Sequence, residues 1–209
     1  AISCGLQGQT RDSLRGFKNP SEGFDVARQG VFFVNGEYYT SRIENTTATC
    51  SEAPRPCQYM AGQMYVEYQI PRRVQHPYPI VMVHGAGQTG TNFLSTPDDR
   101  PGWAQFFLAN GYAVYVVDQT GRGRSVYTTE AYGPTRPPFD VEGRIRFWTA
   151  QREFKPYPNA HLHTQWVGTG KQGDPFFDQF YASQVQLMAD PVRTQEYAQK
   201  ALSALLDKI

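Results

Sequence analysis

Residues 77–125, PYPIVMVHGAGQTGTNFLSTPDDRPGWAQFFLANGYAVYVVDQTGRGRS, decide the fold. The run at 79–83 is a continuous apolar segment of strand length that leads into His84-Gly85-Ala86-Gly87. A second apolar run at 112–117 ends in Asp118 and a glycine-rich turn. Between them Pro97 and Pro101 mark a loop, after which Trp103, Phe106 and Phe107 recur at helical spacing and are expected to share one face. Two strands joined by a helical crossover form a βαβ unit, so the sheet around them is expected to be parallel.

On the N-terminal side, the run at 63–70 alternates Met64, Val66, Tyr68 and Ile70 with polar neighbours, the period of a strand. Further back, the runs at 30–34 and 37–40 flank Asn35-Gly36. Both residues of that pair tolerate positive φ, so it predicts a two-residue β-hairpin. These antiparallel strands are expected at one edge of the sheet that the βαβ unit continues. Residues 1–28 are polar and irregular.

Beyond Ser125 the character changes. Residues 126–189 are rich in proline, glycine and aromatic residues, including Trp148, Trp166, Phe176 and Phe177. Such a stretch is either a lid over a ligand pocket, with those four side chains facing substrate, or a small satellite core. In 190–209, Asp190 can cap a helix and Pro191 suits its first turn, while Ala198, Ala201, Leu202, Leu205 and Ile209 form an apolar stripe. Two parallel strands make a small sheet for so much apolar surface, so further strands from elsewhere are expected.

Composition narrows the function. The 209 residues suffice for one core with an insertion, and a net charge of +1 without a basic run argues against a nucleic-acid surface. No apolar run approaches the ~20 residues that span a bilayer, so no membrane partner is expected. The chain opens Ala1-Ile2-Ser3 without an initiator Met, from which we expect an upstream segment to have been removed. Cys50 and Cys57 flank a short proline-containing loop and are expected to pair, and Asn45-Thr46-Thr47 is an N-glycosylation sequon. Together these features favour a secreted protein. Cys4 is left either as a free thiol or as a bridge to a partner chain.

Two chemical readings compete for the loop after the first strand. Gly85-Ala86-Gly87-Gln88-Thr89-Gly90 matches the G-x-G-x-x-G dinucleotide fingerprint, but 95–102 interrupts the helix that should follow, and Asp118 comes too late to meet a ribose. The other reading is an oxyanion loop. In acyl transfer, negative charge develops on the former carbonyl oxygen, and backbone N–H groups preorganised around it supply the stabilisation. A small Ala86-Gly87 pair at a strand end lets the backbone approach substrate closely. Ser125 stands at the wrong position of a nucleophile-elbow pattern and reads as structural, and His84 reads as a tie within the loop. His161-x-His163 lacks a third ligand nearby, so no metal is expected.

His84-Gly85-x-Gly87 after an apolar strand, followed by Tyr112-Ala113-Val114-Tyr115-Val116-Val117-Asp118-x-x-Gly121-x-Gly123-x-Ser125, resembles the third and fourth strands of the α/β-hydrolase superfamily. The wider stretch from Gly62 through Ser125 is similar to a divergent branch typified by a secreted Alcaligenes esterase. The resemblance implies an α/β sheet whose N-terminal half spans 29–125, a cap insertion at 126–189 and a core helix at 190–209 that precedes a missing nucleophile strand. It implies oxyanion-hole backbone at Ala86 and Gly87, with His84, Gly85, Asp118 and Ser125 supporting the site. The nucleophile, acid and base of a Ser-acid-His triad would then lie in a C-terminal chain of the same precursor, to which Cys4 is a candidate bridge, making one chain of a secreted two-chain carboxylesterase with a small-molecule ester substrate and no cofactor. A non-catalytic binding module and a dinucleotide-dependent oxidoreductase stand as alternatives.

Overall fold

The structure is a computed structural model and describes residues 23–41 and 57–209. Four strands form the main sheet in the order β1-β4-β6-β5: β1 (Val26–Val34), β4 (Met64–Pro71), β6 (Val114–Asp118) and β5 (Ile80–Val83). β1 and β6 both run antiparallel to β4, whereas β5 runs parallel to β6 with Ile80 opposite Val114. The crossover between β5 and β6 carries α1 (Trp103–Ala109), so the expected βαβ unit is present, and the antiparallel strands lie on its far side, ending in edge strand β1.

Two apolar clusters sandwich this sheet. Val116 and Val117 are neighbours on β6 and so point to opposite faces. Val116 joins Met82, Val114, Ala104 and Leu108 under α1, while Val117 joins Val34, Met64, Val66, Ala201 and Leu205 under α6 (Pro191–Leu206). A seven-residue helix such as α1 is not stable alone in water. Burial of side chains such as Leu108, at about 1.5–3 kcal/mol each, is what holds it. Its core face differs from the expected one. Ala104 and Leu108 are buried, whereas Trp103 is 61% exposed and stacks on Phe107. The small side chain is the one that lets the helix lie close to the sheet.

α6 begins as its sequence indicates, with Asp190 Oδ1 accepting from the N–H groups of Val192 and Arg193 and Pro191 in the first turn. Ala201 and Leu205 are buried and Leu202 partly so, but the helix stops at Leu206 and Ile209 lies outside it.

Asn35-Gly36 does not close the hairpin that its sequence suggests. Both residues have positive φ, at 57° and 101°. Yet β1 pairs with β4, and β2 (Glu37–Thr40) pairs with β3 (Gln58–Ala61). Val34 faces Met64 and Glu37 faces Ala61, so one long antiparallel ribbon turns a corner at Asn35-Gly36 on one strand and Gly62 on the other. Asn35 Nδ2 donates to the Gly62 carbonyl at 2.8 Å and locks the corner. The left-handed backbone was legible in the sequence; the strand partner was not, because pairing is a long-range choice. The expected partner of Cys57, Cys50, and the sequon Asn45 lie outside the described residues, as does Cys4.

Residues 126–189 fold into short helices: α2 (Thr129–Tyr132), α3 (Val141–Arg144), α4 (Gln151–Phe154) and α5 (Pro175–Ala182). α3 runs on into a π turn, Ile145–Thr149. The two ends of the segment meet in a two-rung antiparallel ladder of β7 (Thr135–Arg136) and β8 (Leu187–Met188).

Candidate functional site: the loop after β5

His84–Gly87 leaves the C-terminal end of β5, at the sheet edge that has no further strand among the described residues. His84 is buried, and its ring fixes its own protonation state. Nε2 lies 2.9 Å from the Gln119 backbone N, which can only donate, so Nε2 accepts; Nδ1 then carries the proton and donates to the Gly85 carbonyl at 2.9 Å. Burial pushes the imidazole pKa below its ordinary value, in keeping with a neutral ring.

The carbonyl oxygens of four consecutive residues are each held. Gln119 Nε2 donates to His84 O at 2.6 Å, and Arg122 Nη1 adds a second bond to Gly85 O at 3.2 Å. Arg144 Nη2 donates to Ala86 O at 3.2 Å, and the Val185 backbone N–H donates to Gly87 O at 2.9 Å. Gly87 sits at φ +73°, which favours glycine, and a Cβ there would come within 3.1 Å of Arg144 Nη2. By contrast, the N–H groups of Ala86 and Gly87 make no hydrogen bond to any described residue.

Behind the loop stands a charged anchor. Asp118 is 1% exposed; its Oδ1 accepts from Gly90 N at 2.7 Å, and its Oδ2 from Arg124 N and Arg124 Nε at 2.8 Å each. Burial alone would raise this carboxyl's pKa, but the Arg124 guanidinium, the Arg124 N–H and the Gly90 N–H outweigh it and hold the group below its usual range. Arg124 also reaches Glu67 at 2.6 Å and lies over the Tyr65 ring. Gly90 is needed because a Cβ would come within 2.6 Å of Val116 Cγ1. Ser125 is fully buried, donates from Oγ to Asp118 O at 2.5 Å and accepts from Tyr65 N at 2.8 Å. Its hydroxyl ties the end of β6 to β4.

A helix does not follow the glycines directly. Gly90–Phe93 is a four-residue 3-10 turn, and α1 starts at Trp103, so the pyrophosphate-binding helix start of a dinucleotide site is absent among the described residues. His161 Nδ1 is 3.0 Å from the Pro158 carbonyl, and His163 is exposed. Among the described residues no three His, Cys, Asp or Glu side chains gather as a metal site, and no helix is long and apolar enough to cross a membrane.

Of the aromatic residues assigned to a lid, Phe177 is buried and stacks on Tyr181, and Trp166 packs edge-on against Phe180. Phe176 is half-buried on α5. Trp148 is 51% exposed and lies 5.0 Å from the Arg144 guanidinium. A cleft of about 320 Å³ opens between Gln88, Thr91 and Asn92 on one side and Gln179, Phe180 and Ser183 on the other. A larger cavity of about 700 Å³, among Asn35, Tyr39 and Lys200 at the ribbon corner, does not touch the loop. Sequence reading missed Gln119, Arg122, Arg144 and Val185. The last two reach the loop from a distant segment, and nothing in their spacing announces it.

Comparison with known proteins finds a lipase and an esterase similar to this chain and its mixed α/β sheet. The chain is similar to a protein named "Probable secreted lipase phiG" from Fungal sp. (strain ATCC 74256), 53% identical over 153 residues that make up 73% of this chain and 41% of the lipase. It is also similar in structure to a solved novel bacterial esterase, with a TM-score of 0.64 and 29% identity, covering 91% of this chain and 60% of the esterase. The chain therefore spans less than half the length of the lipase and about three-fifths of the esterase. No family model matches it.

Proposed function

We propose that this chain is the oxyanion-loop part of a secreted carboxylic ester hydrolase. The observation that carries the reading is the pair of unpartnered N–H groups on Ala86 and Gly87, in a loop whose carbonyl oxygens are all engaged from the other side. Donors left open and rigid at a strand end are what a developing oxyanion needs. The lipase and esterase relatives support the reaction class, and the lipase's being named a secreted one supports secretion. A Cys50–Cys57 disulfide and a glycan on Asn45 belong to the same reading.

In this reading the nucleophilic serine, its acid and its base come from the C-terminal part of the same precursor, as a second chain. A strand added to the open edge of β5, parallel to it, would end beside His84–Gly87, and the turn following it is the place for a nucleophile. The serine attacks the ester carbonyl, Ala86 and Gly87 bind the resulting oxyanion, and water then attacks the acyl-enzyme. Residues 126–189 form the cap, with the exposed Trp148 and the half-buried Phe176 on its substrate side, whereas Phe177 and Trp166 pack within the segment.

The test is intact mass spectrometry of the native protein after reaction with a fluorophosphonate probe, run reduced and non-reduced. We expect the label on a second polypeptide. A single unlabelled 209-residue species without esterase activity overturns the reading.

A further inference from the structure

We propose that Arg144, on the segment 126–189, is a positioning residue that aims the Gly87 N–H at the oxyanion, so that the cap sets the catalytic loop as well as covering it. The inference rests on reading His84–Gly87 as an oxyanion loop.

The argument starts from the planarity of the peptide bond. The N–H of a residue lies anti to the C=O of the residue before it, so whatever grips a carbonyl from one side points the next N–H to the other. The Ala86 N–H is thus aimed by the partners of Gly85 O, namely His84 Nδ1 and Arg122 Nη1. The Gly87 N–H is aimed by the partner of Ala86 O, which is Arg144 Nη2 alone among the described residues. The first amide is held twice from the core, the second once from the cap.

Arg144 is built for a role other than stability. It is 1% exposed, yet among the described residues no carboxylate pairs with it and its Nε has no hydrogen-bond partner. Its remaining contacts are Gln184 Oε1 at 2.5 Å and the Phe139 and Trp148 rings at 4.7 and 5.0 Å. A buried, incompletely satisfied cation is a net cost to folding, and an apolar side chain of similar volume is tolerated or stabilising in such places. Function and stability should therefore separate at this residue.

The experiment uses the complete ester hydrolase that carries this chain. For Arg144→Met, Arg144→Lys and Arg122→Met, kcat and KM are measured with p-nitrophenyl acetate, together with inhibition by an alkyl trifluoromethyl ketone, whose adduct oxyanion occupies the hole. Tm and amide hydrogen exchange of the peptide covering 83–93 are recorded on the same samples. Losing an oxyanion donor outright costs roughly 100- to 1000-fold, and a misaimed donor less, so Arg144→Met should lower kcat by about 10- to 100-fold. KM should change less than about 3-fold, ketone affinity should fall in parallel with kcat, and Tm should not fall. Arg144→Lys should recover part of kcat, and Arg122→Met should lose less than Arg144→Met, because His84 still holds Gly85 O. Unchanged kcat in folded Arg144→Met, or a loss that merely follows a lower Tm, overturns the proposal. Should the wild-type protein show no hydrolysis at all, the esterase reading fails by itself. Exchange then decides the positioning claim, with faster exchange in Arg144→Met supporting it and identical exchange overturning it.

Discussion

Replacing Asp118 by Asn removes a charge while keeping the shape, and the loss can be worked from the contacts. The carboxylate gives Oδ1 to the Gly90 N–H and Oδ2 to two donors of Arg124. An amide has one oxygen. Turned one way it abandons the Gly90 N–H, turned the other it loses the two Arg124 bonds to Oδ2 and keeps only the 3.3 Å one from Nη2, and either way an NH2 group faces an N–H. Breaking a buried ion pair by removing one partner costs about 3–5 kcal/mol. Arg124 is 34% exposed and keeps Glu67, so the lower end, about 3 kcal/mol, applies. At roughly 2–4 °C per kcal/mol for a chain of this size, Tm should fall by about 6–12 °C, read by circular dichroism. The pH dependence has a definite sign. The folded pKa of Asp118 lies below its ordinary value, so its contribution is full above the unfolded pKa of ~3.9 and disappears as pH falls through the folded one. The Tm gap between wild type and Asp118→Asn should stay constant from pH 8 to 5 and close only below about pH 4. A Tm within 2 °C of wild type at neutral pH, or a gap that closes between pH 8 and 5, refutes the anchor.

Three further outcomes follow from the same geometry. Ser125→Ala leaves Tyr65 N and Asp118 O each short of a partner and should destabilise by about 1–3 kcal/mol in urea denaturation, with fluorophosphonate labelling undiminished; loss of label without loss of stability would make Ser125 a nucleophile instead. Gly90→Ala puts a methyl 2.6 Å from Val116 Cγ1, an overpacking expected to cost about 1–3 kcal/mol, and an unchanged urea midpoint would contradict it. His84 is neutral and its pKa is pushed down by burial, so its share of stability is full above the unfolded pKa of ~6.5 and declines as pH falls below it. Wild-type Tm should therefore drop more between pH 7.5 and 5.5 than that of His84→Asn, and equal drops would count against the buried tie.

The parallel unit was legible because both of its strands are continuous apolar runs and its loop carries residues that only a strand end needs. The left-handed backbone at Asn35-Gly36 was legible for the same local reason. The partner of β1 was not, since β4 lies 30 residues or more away along the chain and pairing answers to the whole sheet. The exposed ring of Trp103 marks another limit: spacing predicts a shared face, and close packing then selected Ala104. In the candidate site, the strand-end loop at Ala86 and Gly87 could be seen from type and position, whereas Arg144 looked like any surface cation. Its burial depends on α3 folding back over β5's loop from 58 residues downstream, which no local pattern encodes.

The β7–β8 ladder has a consequence for protein engineering. Because the polypeptide enters this small ladder at Thr135 and returns opposite, at Met188, the stretch between is a plug with adjacent ends that can be transplanted between relatives by two cuts. A transplant that carries over Arg144, Gln184 and Val185 keeps its grip on the recipient's loop. One that omits them should yield a folded chimaera with an intact entrance and an idle centre.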